Sequence, residues 1–360
     1  MLTAIIFIIV IGVLVLVHEF GHFVFAKRAG MRVEEFGFGF PPRLISWKKG
    51  ETIYSINAIP FGGFVKIMGE DGDIRGPRSF ASATFTQRML VILAGVVMNL
   101  LLAVVLLVIV NSLGMRIGLV EGQTGSARDV KVQIVSVADQ SPASMAGLQP
   151  LDAVQGYKDD GTVVPVHSTK DIQDAVTSHL GRPLTFEIER GNSTIEKTVT
   201  PRANPPEGQG ALGVSLALTG EVSYPWYEAI WRGISDAAFL TIATVQGYYS
   251  LLKTLFVHGR LIADVSGPIG IATLTGQAAR VGINYLLQFV AMISINLAVL
   301  NIIPFPALDG GRALLLIIEK IKGSPVRKEI EGWINAAGFY LLIVLMLYIT
   351  YKDVAKFFVK

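Results

Sequence analysis

Apolar and polar residues fall into long blocks along this chain. Met1 to Val17 carries no charged side chain, and the apolar run continues to Ala26, where Lys27-Arg28 ends it. A second block, Met89 to about Leu113, lies within the charge-free interval between Arg88 and Arg116. A third runs from about 285 to 308 and a fourth from Gly332 to about Tyr351. About 20 apolar residues in a helix cross the hydrocarbon of a bilayer. The pattern therefore predicts an α-helical polytopic membrane protein with four transmembrane helices, at about 2–26, 89–113, 285–308 and 332–351.

The stretches between them read differently. In the N-terminal part, 1–115, residues 36–70 hold extended runs (Arg43 to Trp47, Thr52 to Asn57, Phe64 to Met68) separated by Lys48-Lys49-Gly50 and Gly62-Gly63. These predict a β-hairpin loop lying at the membrane surface, with a strand edge open to a substrate peptide or with a purely structural role. Asp71-Gly72-Asp73 to Thr86 reads as a polar connector with the character of an amphipathic surface helix. Residues 116–203 alternate β-rich runs (Val132 to Val135, Leu184 to Glu189, Ile195 to Val199) with two helical segments, which predicts an inserted α+β domain. In 204–265 a Pro/Gly linker leads to a helix from Tyr224, whose Glu228, Arg232 and Asp236 stand four apart on one polar face. Its uncharged continuation, 237–252, is short for a span and fits an interfacial or re-entrant segment. Ser266-Gly267-Pro268-Ile269-Gly270 reads as a tight turn opening the C-terminal membrane part, 266–360.

Composition narrows the function classes. Hydrophobic residues make up 51% and charged residues 16%, against about a quarter charged in soluble domains. A net charge of +3 gives no basis for nucleic-acid binding. With no cysteine, any metal must be held by His, Asp or Glu. The ten Lys and Arg from Lys27 to Arg88 put that loop on the cytoplasmic side and the inserted domain outside. Counting four spans brings the end of the third to the same cytoplasmic depth as the end of the first. Lys352, Lys356 and Lys360 in the outer tail run mildly against the charge rule.

At that depth stand the residues that carry chemistry. In His18-Glu19-Phe20-Gly21-His22 the two histidines share one helix face, a spacing that holds zinc, with Glu19 beside them to take a proton from water at the metal. Ionisable groups inside a membrane span are costly and mark function by default. Pro304 and Pro306 break the third span just before Asp309, which is a natural third ligand for a His-His site. Asn99, among the apolar residues of the second span, reads by itself as a contact between helices.

Together His18-Glu19-Phe20-Gly21-His22, the inserted domain and Asn301-Ile302-Ile303-Pro304-Phe305-Pro306-Ala307-Leu308-Asp309-Gly310 resemble the site-2 protease family of intramembrane zinc metalloproteases. The resemblance is closest to the bacterial regulator-of-sigma-E-protease branch. Gly37-Phe38-Gly39, Phe61-Gly62-Gly63-Phe64 and Ser266 to Gly270 also match, so it covers nearly the whole chain. The insert resembles a PDZ domain, with Ala146-Gly147-Leu148 at its familiar turn and Leu151-Asp152 where Gly-Asp is usual. The resemblance implies Zn2+ held by His18, His22 and Asp309, with Glu19 as catalytic base. It further implies Asn301, Gly37, Gly39 and Asn99 as substrate-binding residues, and a bacterial inner-membrane location. Its substrates would be pre-trimmed single-span membrane proteins, such as anti-sigma factors or remnant signal peptides, with a peptide or protein at the PDZ-like domain. Val96 departs from the family's proline after Ala-Gly, and there is one PDZ-like domain where some members have two. Two other classes fit less of the chain. A metal or proton transporter has no need of the insert, and a membrane-anchored PDZ scaffold leaves the His, Glu and Asp residues without purpose.

Overall fold

The computed structural model describes residues 2–70, 76–120, 125, 127–159, 161–191, 193–258, 267–324 and 326–358. Asp71, Gly72, Asp73, Ser266 and Lys360 lie outside the described residues. The chain opens with α1 (Leu2–Arg28), β1 (Val33–Lys49), β2 (Thr52–Ile67) and α2 (Phe85–Leu113). A sheet-rich stretch follows: β3 (Met115–Gly118), β4 (Arg128–Val137), α3 (Pro142–Met145), β5 (Ala153–Asp159), β6 (Thr162–Pro165), α4 (Thr169–Ser178), β7 (Leu184–Arg190), β8 (Ser193–Val199) and β9 (Val214–Val222). The remainder is helical: α5 (Trp226–His258), α6 (Pro268–Val281), α7 (Ile283–Ile302), α8 (Asp309–Lys322) and α9 (Lys328–Phe358).

Among the described residues four helices are long and apolar enough to cross a membrane: α1, α2, α7 and α9. They agree with the four predicted spans and differ at the ends. The second helix starts earlier, at Phe85, because Thr84 and Gln87 form a reciprocal cap: Gln87 N–H donates to Thr84 Oγ1 at 3.3 Å and Thr84 N–H to Gln87 Oε1 at 3.1 Å. The third stops at Ile302 instead of 308, since Pro304 and Pro306 supply no N–H and steer the residue before them out of helical geometry. Residues 76–84 hold one short 3-10 turn, Phe80–Ser82, in place of the expected surface helix. The helix expected from Tyr224 and its ambiguous continuation are one element, the 33-residue α5. Pro268 to Gly270 begin α6 and do not form a turn; proline suits the first helical position, where its missing N–H would have no partner in any case.

The chain divides into two compact units. One holds residues up to Val108 together with Trp231–Thr273 and Phe289–Val354, and the other Ile109–Ile230 with Leu274–Gln288. In the first unit β1 and β2 each double back. Glu35 to Phe38 are flanked on one side by Gly63 to Lys66 and on the other by Ile53 to Ile56, while residues 43–49 pair with the far side of 52–57. The order across this element is 43–49, 52–57, 33–38, 63–67, so the outer runs are 43–49 and 63–67. A Cβ on Gly12 would lie 3.1 Å from the Phe38 ring. Gly12 precedes Arg28 by sixteen residues, about 24 Å along the helix. The hairpin therefore reaches the level of the middle of α1. Leu44, Ile45 and Trp47 on its outer run are exposed, as suits side chains facing lipid.

In the second unit an antiparallel sheet runs β3-β9-β4-β5-β7-β8, with β6 beside β5. The predicted runs at 132–135, 184–189 and 195–199 fall in β4, β7 and β8. The sheet continues past the expected boundary at 203, because β9 pairs with both β3 and β4. Its core is built from Val132, Ile134, Ile172, Leu184, Phe186 and Ile188, all buried. Ser141 caps α3, and Ser168 and Asp171 form a capping box on α4. The N–H of His167, then the side chain and N–H of Ser168, hold the Asp171 carboxyl below its usual range. Asp152 is buried and accepts from Arg190 Nε at 2.7 Å and Nη2 at 2.6 Å. Leu151, where the PDZ pattern has glycine, has φ +72 and is fixed there by its N–H to Ile134 O at 2.8 Å. A β-carbon in the left-handed region costs about 1–2 kcal/mol. Leu151→Gly is expected to stabilise this domain by about 0.5–1 kcal/mol after the extra unfolded-state entropy of glycine. Slower hydrogen exchange of the β4 amides in the full chain is the measurement.

Candidate metal centre

α1 carries His18 and His22 one turn apart, with ring centroids 4.8 Å apart and planes at 79°. Their Nε2 atoms approach to 3.2 Å. Asp309, the first residue of α8, brings Oδ2 to 3.0 Å from His18 Nε2 and 3.4 Å from His22 Nε2. Donors about 2.1 Å from an ion in tetrahedral array stand about 3.3–3.4 Å from one another. The three sides of this triangle match that spacing. Asp309 Oδ2 is also buried and makes no hydrogen bond: it is near both imidazoles yet aligned with neither, as expected of atoms that share an apex. Two imidazoles and one carboxylate are a donor set suited to zinc, and the geometry fits the ion.

Close helix approach makes the triangle possible. A Cβ on Gly95 of α2 would lie 2.6 Å from His18 Cε1, His18 Nε2 and His22 Nε2. One on Gly21 of α1 would strike the Ala94 carbonyl and lie 2.8 Å from Met98 Cγ. The ring of His22 is held from behind, Nδ1–H donating to the Val91 carbonyl at 2.8 Å, which leaves Nε2 free for a metal. His18 Nδ1 faces the Asn99 amide, with Nδ2 at 3.3 Å.

Asp309 reaches the histidines through an irregular loop. Phe305 N–H donates to Ile303 O at 2.7 Å and Leu308 N–H to Phe305 O at 3.2 Å, while Ala307 takes φ +71 and donates its N–H to Asn335 Oδ1 at 3.3 Å. Gly310 and Gly311 sit against the carbonyls of Ile302, Ile303 and Phe305, where a side chain has no room. Further along α8, Arg312 donates to Glu70 at 2.5 Å and Glu319 accepts from Arg88 at 3.1 Å. Both ion pairs anchor the helix that presents the carboxylate.

A cavity of about 220 Å³ opens on this centre, lined by His18, Glu19, His22, Asp309, Arg312 and Phe64 among others. Glu19 thus faces the same space as the three donor atoms, and Gly63 of β2 stands close to it: a Cβ there would be 3.4 Å from Glu19 Cγ. A second cavity, about 640 Å³, shares Phe64, Val65, Glu70 and Arg312 with the first, and its far wall includes Ala307, Glu331 and Asn335. The 63–67 edge of the hairpin therefore borders both.

The structure brings together His18, Glu19, His22 and Asp309 and sets Asn99 directly behind His18. It does not bring in the other three predicted residues. Asn301, half-buried in the last turn of α7, is not among the described residues lining the cavity. Gly37 lies in the middle of the hairpin, with Phe64 on one side and Ser55 on the other. Gly39 takes φ +76 against the Ile59 carbonyl. Both glycines serve the fold of the hairpin, and neither lines the cavity. Gly95 was legible only as a small residue; its i, i+4 relation to Asn99, mirroring His18 and His22, is the signal that both face the metal site. Arg312 and Glu70 carried no signal beyond charge.

A membrane-depth helix bearing His-Glu-x-x-His, completed by an aspartate from a distant broken helix, defines an intramembrane zinc metalloprotease. The sequence profile of Peptidase family M50 matches residues 6–345. A putative zinc metalloprotease of Clostridium perfringens is 38% identical, with 95% of each chain covered. Zinc metalloprotease RasP of Geobacillus kaustophilus is 32% identical over 98% of this chain and 97% of its own. The regulator of sigma-W protease RasP of Bacillus subtilis is 30% identical over 99% of both. The chain belongs to peptidase family M50, the site-2 proteases.

Because Gly95 leaves no room for a methyl group, Gly95→Ala is expected to push the imidazoles apart. Zinc content per chain should fall at least tenfold, with the purified protein still monodisperse; metal analysis of the stripped and reloaded protein reads this directly.

Proposed function

We propose that this protein hydrolyses peptide bonds within or near the transmembrane segments of single-span membrane proteins already shortened by an earlier cut. In this reading His18, His22 and Asp309 hold zinc and Glu19 is the catalytic base. The observation that carries it is the convergence of three donor atoms and one further carboxylate on a single buried cavity. Bound zinc supplies Lewis acidity to the attacking water and to the scissile carbonyl. Glu19 takes the proton of that water and returns it to the leaving nitrogen. The pairing of His22 Nδ1 with the Val91 carbonyl keeps the ring oriented through both steps.

A helical substrate hides its peptide bonds, so it must be unwound before cutting. The run 63–67 is an outer strand bordering the cavity, and it supports a mode in which the substrate adds as a further strand. Gly37 and Gly39 are buried within the element, which supports a role in shaping the hairpin. The basic loop from Lys27 to Arg88 supports a cytoplasmic position for the metal site and an extracytoplasmic one for the PDZ-like domain, in a bacterial plasma membrane. That domain receives a peptide or protein partner. The name of the Bacillus subtilis relative supports regulators of sigma factors as one substrate class.

Glu19→Gln should keep zinc and fold while losing cleavage of a model single-span substrate by about 10²-fold or more; undiminished cleavage removes Glu19 from the mechanism. Chelation of the wild type should abolish cleavage, and added zinc restore it. In the Glu19→Gln chain, a photo-crosslinker at Lys66 should capture uncut substrate and one at Trp47 should not.

A further inference from the structure

We infer that Asn99 decides which nitrogen of His18 is free to bind metal, and so is a positioning residue of the centre and not a substrate contact. The inference rests on the reading that His18 is a ligand.

The two histidines are held differently from behind. His22 Nδ1 faces a backbone carbonyl, which can only accept. That ring therefore carries a proton on Nδ1, and in its neutral form the lone pair is on Nε2, ready for an ion. His18 Nδ1 faces a carboxamide, which can present either end. Asn99 is wholly buried. Its backbone carbonyl accepts from Ser294 Oγ at 2.7 Å, which ties α2 to α7 at this level. Its Nδ2 lies 3.3 Å from His18 Nδ1, and its Oδ1 is buried with no hydrogen-bond partner.

Two arrangements follow. With Nδ2 toward the ring, His18 Nδ1 accepts, the ring proton sits on Nε2, and Nε2 faces Asp309 Oδ2 at 3.0 Å. The metal site is then closed by its own hydrogen. For His18 to ligate through Nε2, the proton must be on Nδ1 and needs an acceptor behind it. A half-turn of the Asn99 amide supplies Oδ1 there, the oxygen and nitrogen being nearly equal in size. The exchange balances: one proton leaves Nε2, one arrives on Nδ1, and none is released overall. Either way one amide atom stays unpaired, so the half-turn does not change the count of buried unpaired groups. An aspartate at 99 could only favour the ligating form when ionised, and a leucine could favour neither.

The test uses the full-length protein in detergent micelles, stripped of metal and titrated with zinc against a chromophoric chelator. KM and kcat on a model single-span substrate are measured at saturating zinc. Asn99→Leu should weaken zinc binding about 10- to 100-fold, the usual effect of losing a group behind a ligating histidine, with KM unchanged. Asn99→Asp should bind zinc at least as tightly as wild type. Wild-type affinity in Asn99→Leu overturns the inference, as does a raised KM with affinity intact. If Asn99→Leu does not fold, Asn99→Asp decides alone: a loss of affinity of tenfold or more overturns it. His18→Ala is a separate arm: full zinc affinity there removes the ligand reading itself, independently of Asn99.

Discussion

Three donor atoms about 3 Å apart, inside the membrane-spanning part of a protein, are the constraint from which the rest of this structure follows. Two imidazoles and a carboxylate at that spacing are unfavourable without an ion between them and costly to desolvate. The fold must force them together, and it does so by removing side chains. Gly21 and Gly95 let α1 and α2 approach until the imidazoles of one lie on the backbone of the other. Gly310 and Gly311 let the α8 terminus press against the loop before it. Pro304 and Pro306 end α7 early enough for that loop to form, and the Arg312–Glu70 and Arg88–Glu319 pairs hold α8 in place. Since metal binding free energy adds to folding free energy, zinc can offset much of this strain once bound.

The hairpin obeys a second constraint. Sheet edges are poorly tolerated in hydrocarbon because their N–H and C=O groups lack partners. Doubling β1 and β2 back on themselves pairs most of the backbone internally and leaves two outer runs. One of them, 63–67, borders the polar cavities, where irregular or unpaired backbone is tolerated. A substrate unwound at this depth has the same deficit of hydrogen-bond partners. In the proposed binding mode, joining the two edges would relieve both, so that binding itself would favour unwinding.

Much of this was readable from the residues. The four spans follow from charge-free blocks too long for anything else, and the metal site from the four-residue spacing of His18 and His22 together with a carboxylate after two prolines. What escaped was set by tertiary contact. The 33-residue α5 continues through Gln246 and Lys253 because a helix needs no uniform hydropathy and no proline interrupts it. Strand β9 lay beyond a Pro/Gly linker that reads as a domain end, yet its ladder with β4 makes it central to the sheet. The extended runs of the hairpin loop suggest an open edge, but which run lies outermost depends on pairing across the doubled hairpin. Asn99 reads as helix glue until its amide is seen against the His18 ring.

The metal site is assembled from opposite ends of the polypeptide: α1 is made first, and α8 emerges only after α7 is complete. During synthesis the membrane therefore receives a histidine pair that lacks its third donor for most of translation. A truncated or stalled product would leave neighbouring membrane proteins uncut, since the hydrolytic centre does not exist until the late segment has been inserted and docked. The order of these elements along the chain thus ties the completion of the centre to the arrival of its late segment.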